Sequence, residues 1–141
     1  MKVLVINGPN MNLLGKREPE VYGSETLEDL EKAVSKEAEN LDIEVTFFQS
    51  NHEGEIIDTI QTAQENDVDA IIINPGAFTH YSLAIRDAIK GTGIKAIEVH
   101  MSNIHSREEF RSKSVIAPVC MGQISGFGFK GYLAALNILK R

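Results

Sequence analysis

The chain has 141 residues and 15.6 kDa, and is 43% hydrophobic, 24% charged and 6% aromatic, with no Trp. That composition excludes collagen-like, low-complexity and disordered classes, and no apolar run approaches the ~20 residues of a membrane span. A net charge of −6 and a pI near 5.2 argue against nucleic acid as the partner, because phosphate binding needs a basic face.

Val3–Ile6 is a short apolar run ending at Asn7-Gly8-Pro9, which predicts a buried strand and a turn. Gly8 to Glu25 follows, 18 residues without a regular pattern. A loop of that length in a compact domain is usually functional. Met11, Leu13 and Leu14 give it an apolar body that must fold back on something. It therefore reads as an active-site lid rather than a solvated surface loop, with Asn10, Asn12, Lys16, Arg17 and Tyr22 on it and Gly15 and Gly23 as hinges.

Thr26 caps a helix in which Leu27, Leu30, Val34 and Leu41 fall at helical spacing. Ile43–Phe48 is β-rich. Ile56, Ile57, Ile60 and Ala63 mark a second amphipathic helix, capped by Ser50 or Asn51. Ala70–Ile73 is a third strand, stopped at Asn74-Pro75-Gly76. Leu83, Ile85, Ala88 and Ile89 lie in a third helix closed by Gly91 and Gly93. Lys95–Val99 is a fourth strand. Val115–Val119 predicts a fifth, at an edge because of Pro118. Gly131–Leu139 reads as the final helix.

Continuous apolar strands alternating with helices predict a parallel sheet covered on both faces. Five strands fit a flavodoxin-like α/β three-layer sandwich of order 2-1-3-4-5, one domain over residues 1–141. The N-terminal apolar stretch is too short for a signal peptide. The lone Cys120 forms no intrachain disulfide, which suits a reducing cytoplasm. Charge is uneven: residues 17–44 hold ten of the twenty acids, and residues 107–141 hold six basic residues against two acids. Local basic spots on an acidic chain suit a small anionic ligand.

In an open parallel sheet, ligands bind beyond the carboxyl ends of the strands. Polar clusters converge there: Asn7 to Asn10, Asn74 to His80, Glu98 to Asn103, and the Gly-rich stretch Gly122 to Gly131. Turns and caps alone do not require His, Glu and repeated amides. Glu98 and His100 are two apart in a strand, so they share a face about 6.5 Å apart along the chain. A carboxylate beside an imidazole favours the imidazolium, which makes His100 a proton-donor candidate. Arg107 and Arg111 are four apart, on one face of a short helix spanning 107–111. They either pair locally with Glu108 and Glu109 or recognise a carboxylate.

Gly126 to Gly131 matches G-x-G-x-x-G, but that fingerprint needs a following strand and an acidic residue about 20 positions on. It reads instead as close packing into the last helix. His80, His100, His105 and Glu98 lack metal-ligand spacing. A flavodoxin-like nucleotide- or flavin-binding module is the alternative function, but it leaves Arg17, Tyr22, Glu98 and His100 without roles. A phosphoacceptor switch needs clustered Asp at the first strand end, where Asn7 and Asn10 stand.

Taken together, these segments resemble type II 3-dehydroquinate dehydratase over essentially the whole chain. The matching stretches are Ile6 to Asn10 with Asn12 to Gly15, Arg17-Glu18-Pro19, Tyr22-Gly23, Gln49-Ser50-Asn51, Asn74 to His80, Glu98 to Asn103, Arg107 to Arg111, and Gly126 to Gly128 with Gly131-Tyr132. Met11 and Met101 stand where other aliphatics are usual, and neither removes a reacting group. The resemblance implies reversible loss of water from 3-dehydroquinate to give 3-dehydroshikimate, a step toward chorismate and aromatic amino acids. It also implies a flavodoxin-like fold, a homododecamer built from trimers, and no metal or organic cofactor.

By the same resemblance, Tyr22 is the base that takes the proton beside the ketone. A phenol is mostly protonated at pH 7, and Arg17 is the cation that favours its phenolate. Asn10 holds a water against the enolate oxygen, and His100, helped by Glu98, protonates the departing hydroxyl. Asn74, His80, the Met101 backbone, Ser102 and Arg111 bind substrate with Arg107 in support, and Asp87 reaches a neighbouring subunit's site. A Schiff-base route needs a buried lysine in the pocket. Lys95 starts a strand at the wrong end of the sheet, and Lys16 and Lys130 have no apolar pocket.

Overall fold

The structure is a computed structural model that describes all residues except Arg17 and Glu18, with the backbone only at Val21 and Tyr22. Five strands form one parallel sheet: β1 (Lys2–Asn7), β2 (Glu44–Gln49), β3 (Ala70–Asn74), β4 (Lys95–His100) and β5 (Gly122–Ser125). Their order is β2-β1-β3-β4-β5, as the element pattern predicts. The helices are α1 (Pro19–Tyr22), α2 (Leu27–Asn40), α3 (Glu53–Ala63), α4 (Leu83–Thr92) and α5 (Phe129–Lys140).

The strand period of two divides the core into two layers. Val3, Val5, Ala70, Ile72, Ile97 and Val99 face α2 and α5, where Leu30, Val34, Ala135 and Leu136 meet them. Leu4, Ile6, Ile71, Ile73 and Ala96 face α3 and α4, where Ile56, Ile60, Ile85 and Ile89 meet them. The same parity sets the chemistry. Asn7 and Asn74 continue the first face, and Glu98 and His100 continue the second.

The helix starts follow local hydrogen bonding. Thr26 and Asp29 form a capping box at α2: Thr26 Oγ1 accepts from Asp29 N (3.1 Å), and Asp29 Oδ2 accepts from Thr26 N (2.9 Å). Those bonds, the backbone one first, hold the Asp29 carboxyl below its usual range. The cap expected of Ser50 or Asn51 on α3 is not made, and His52 stands at that position. Ser50 Oγ accepts from His52 N instead (2.9 Å), and Asn51 Oδ1 accepts from Asn10 N (3.0 Å). Asn51 thus fastens the β2 end to the loop after β1, while Ser50 closes its own turn.

The fifth strand differs from expectation. Val115–Val119 is not a strand: Ala117–Val119 is a 3₁₀ turn with Pro118 inside it. Its apolar side chains serve the α3/α4 layer, where Ile116 is buried and Val115 and Val119 pack alongside. Gly122–Ser125 pairs with β4 instead, from Ile97↔Gly122 to His100↔Ser125. A polar, four-residue edge strand carries almost no periodic signal. The short helix expected over 107–111 is also smaller, a single 3₁₀ turn at Glu109–Arg111. Gly8 to Glu25 is not structureless, since it holds a 3₁₀ turn at Met11–Leu13 and the one-turn α1.

Candidate active site

Strand ends and the turns after them enclose a cavity of about 150 Å³. The β1 turn supplies Asn10, Met11, Leu13 and Leu14, and the β3 end supplies Asn74, Gly76, Ala77 and His80. From the β4 end come His100, Met101, Ser102, Ile104, Arg107 and Arg111. Three of the four strand-end segments singled out in the sequence therefore converge, while the Gly122 to Gly131 stretch supplies no lining residue among those described. Glycine makes the convergence possible: a Cβ on Gly8 would stand 2.6 Å from the Pro75 carbonyl oxygen, so the β1 and β3 turns close on each other only without one.

His100 and Glu98 form a direct pair, with His100 Nε2 against Glu98 Oε2. Glu98 is fully buried. Its Oε2 also accepts from Thr79 Oγ1 (2.7 Å) and Gln123 Nε2 (2.8 Å), and its Oε1 accepts from Ser114 Oγ (2.8 Å). Burial alone raises the carboxyl's pKa, but the bonds from His100, Thr79 and Gln123 outweigh it and hold the group below its usual range. Glu98 is thus a fixed anion behind the imidazole rather than a cavity wall. With Nε2 engaged, Nδ1 is the ring nitrogen left for the cavity that His100 lines.

His80 is set by its other face. Its Nδ1 lies 2.8 Å from the Lys113 carbonyl oxygen, which can only accept, so Nδ1 carries a hydrogen. Nε2 is then the atom the ring can offer to the cavity it lines. Asn74 is buried, with Oδ1 accepting from Gly76 N (3.1 Å) and Nδ2 donating to Tyr132 Oη (2.9 Å). Asn10 adopts a left-handed backbone (φ 70°), which asparagine tolerates, and this starts the Met11–Leu13 turn on the cavity rim.

Arg107 and Arg111 both line the cavity and both reach Glu108, at 3.8 Å and 3.1 Å. The two readings of this pair are therefore compatible: local pairing orients guanidinium groups that face the cavity. Arg107 Nη1 also donates to Ser102 Oγ (3.4 Å), and Arg111 stacks over the Phe110 ring at 4.9 Å. The cavity wall thus carries two guanidinium groups beside a buried imidazole. No lysine lines it among the described residues.

Some predicted residues stand apart. Arg17 and the Tyr22 side chain lie outside the described residues. Asp87 is exposed on α4 and is not part of the cavity wall. Cys120 is half-buried, and burial with the nearby Glu98 charge pushes its thiol up to about 12. Gly131 confirms the reading of the Gly-rich stretch as close packing, since a Cβ there would lie 3.2 Å from Val99 Cγ1. Among the described residues no three His, Cys, Asp or Glu gather as metal ligands, and no helix is long and apolar enough to cross a membrane.

Sequence reasoning missed Ser114, Gln123 and Tyr132 as supports of the site. Ser114 and Gln123 carry no motif of their own. Tyr132 gave one signal, a polar-tipped aromatic among the apolar positions of a docking helix.

A family profile described as Dehydroquinase class II matches residues 1–140. The 3-dehydroquinate dehydratase of Caldicellulosiruptor bescii is 68% identical over 139 residues, covering 99% of this chain and 96% of that one. The crystal structure of type II dehydroquinase from Butyrivibrio crossotus superposes with a TM-score of 0.98 at 56% identity, covering 100% and 98% of the two chains. That of Propionibacterium acnes gives 0.94 at 40% identity, covering 99% and 95%.

Proposed function

The chain belongs to the class II dehydroquinases, and on that premise we propose that it is a hydro-lyase that reversibly removes water from 3-dehydroquinate to give 3-dehydroshikimate. The observation that carries this reading is the cavity itself. It is lined by a buried imidazole backed by a carboxylate, by two guanidinium groups and by a buried amide. The substrate is a β-hydroxy ketone with a carboxylate, which calls for a proton donor and cationic recognition together.

The reaction proceeds through an enolate. Tyr22, as phenolate beside Arg17, removes the proton next to the ketone. Asn10 holds a water against the enolate oxygen, and that bond strengthens as charge develops. His100 delivers a proton from Nδ1 to the leaving hydroxyl, and Glu98 stabilises the imidazolium and fixes the ring. Arg111, Ser102, the Met101 backbone, Asn74 and His80 bind the substrate, with Arg107 in support. A Schiff base finds no support, because the cavity wall offers no amine among the described residues.

The protein acts as one catalytic domain in a reducing cytoplasm, and assembles as a homododecamer of trimers in which Asp87 reaches a neighbour's site. Exposed Tyr81 and Leu83 at the start of α4 support burial against another subunit. Sedimentation of the purified protein tests the assembly. The activity is tested by absorbance of the conjugated enone formed from 3-dehydroquinate. Robust enone formation by an enzyme that borohydride with substrate does not covalently trap is the expected result, and absence of enone overturns the reading.

A further inference from the structure

Three buried polar groups meet on the α2/α5 side of the sheet, and one of them, Asn74, lines the cavity. Tyr132 is fully enclosed, and Asn7 and Asn74 are 1% and 5% exposed. Tyr132 Oη donates to Asn7 Oδ1 (2.7 Å) and accepts from Asn74 Nδ2 (2.9 Å). The close approach of Gly131 to Val99 brings this turn of α5 onto the sheet.

The sense of the chain is set from one end. Gly76 N–H is a donor, so the oxygen of the Asn74 amide must face it. The Asn74 nitrogen then faces Tyr132, whose oxygen accepts and whose hydrogen must find another acceptor. Asn7 supplies that acceptor. Its own Nδ2 is left buried without a hydrogen-bond partner among the described residues. An unpaired buried donor is destabilising, so this asparagine carries a local cost. Met11 Sδ lies 3.6 Å from Asn74 Nδ2, a weak acceptor for the remaining amide hydrogen on the cavity side.

We infer that Tyr132 is a positioning residue for substrate binding: anchored by Asn7, its hydroxyl fixes the Asn74 amide so that one N–H stays available to the substrate. The inference rests on the proposed contact between Asn74 and 3-dehydroquinate. Substrate oxygen would then replace the Met11 thioether as acceptor without any turn of the amide.

The test is a cycle of steady-state kinetics on the intact enzyme with 3-dehydroquinate. Tyr132→Phe is expected to raise KM about three- to tenfold with kcat changed less than about twofold, the size of one neutral hydrogen bond. In an Asn74→Ala background the same substitution is expected to leave KM unchanged. Asn7→Leu reaches Asn74 from the far end of the chain, so it should repeat both results, and it carries the test alone if Tyr132→Phe does not fold. A lowered melting temperature with KM unchanged, or effects that multiply in the Asn74→Ala background, overturns the inference. A wild-type protein that forms no enone overturns the underlying functional reading instead, and that outcome is visible before any variant is made.

Discussion

His100 donates through Nε2 to Glu98, two residues earlier on the same face of β4, and both side chains are buried at the strand end. The pair is more than a local contact. Three further donors, from Thr79, Ser114 and Gln123, hold the carboxylate from separate segments. Ser114 is itself held by Ile116 N and Ala117 N at 3.1 Å and 2.9 Å. The imidazole therefore has one orientation, with Nδ1 toward the cavity.

Glu98→Gln keeps the volume but removes the anion that stabilises the imidazolium. Enone assays should show kcat falling roughly tenfold or more, with KM little changed, because the loss falls on proton delivery. His100→Ala removes the donor, so kcat should fall by about 10²–10⁴. Unaltered kcat in either variant would remove that residue from the chemistry.

Glu98 also makes a pH prediction. Its carboxyl titrates below the ordinary value of 4.5, because the hydrogen bonds outweigh burial. A depressed folded-state pKa contributes stability that is fully present above the unfolded value and is lost as pH falls through the folded one. Melting temperature should therefore decline as pH drops below about 4.5, and Glu98→Gln should flatten that limb. A variant with the same acid limb as wild type would show that other groups carry it.

Much of this arrangement is legible in the sequence, for identifiable reasons. The apolar runs at Val3, Ala70 and Lys95 fix three buried strands, and sheet parity then puts Glu98 and His100 side by side without any coordinates. The polar strand ends mark the cavity because parallel sheets leave only that edge open. The failures have physical causes as well. Gly122–Ser125 is a polar edge strand whose pairing is set by β4, not by its own pattern. Val115–Val119 spends its apolar residues on the α3/α4 layer, which imitates a strand signal. Tyr132 is 125 residues from Asn7, and no spacing rule links a helix tyrosine to a strand-end amide so far away.

Arg111 separates binding from chemistry. Its guanidinium lines the cavity, oriented by Glu108 and the Phe110 ring. Arg111→Ala should raise KM roughly tenfold or more, the size of a lost charge-assisted bond. The effect on kcat should be smaller. Arg111→Lys should restore only part of the affinity, since an ammonium lacks the planar fork. Full recovery by lysine would mean that charge alone matters there.

Tyr22→Phe keeps the ring and removes the phenolic oxygen, the proposed base. Turnover should fall by about 10²–10⁴, while far-ultraviolet circular dichroism and melting stay near wild type. Arg17→Ala should lower kcat more than it raises KM, because it acts on the phenolate. If Tyr22→Phe turns over normally, the base must be sought among the residues that line the cavity.

Two glycines should respond to the same substitution with opposite signs. Gly54 lies in the first turn of α3 with nothing within 4 Å of an added Cβ. Gly54→Ala should stabilise by about 0.4–1 kcal/mol, mainly by restricting the unfolded chain. Gly8 donates its N–H to the Asn74 carbonyl at 2.8 Å, and its Cβ would meet the Pro75 backbone at 2.6 Å. No side chain can give way there, so Gly8→Ala must push the β1 and β3 turns apart. It should destabilise by roughly 1–3 kcal/mol, and it should also lower kcat/KM, because those turns carry Asn10 and Asn74. Urea melts read the first effect and the enone assay the second. Normal turnover in a destabilised Gly8→Ala protein would show that the site tolerates the separation of its two walls.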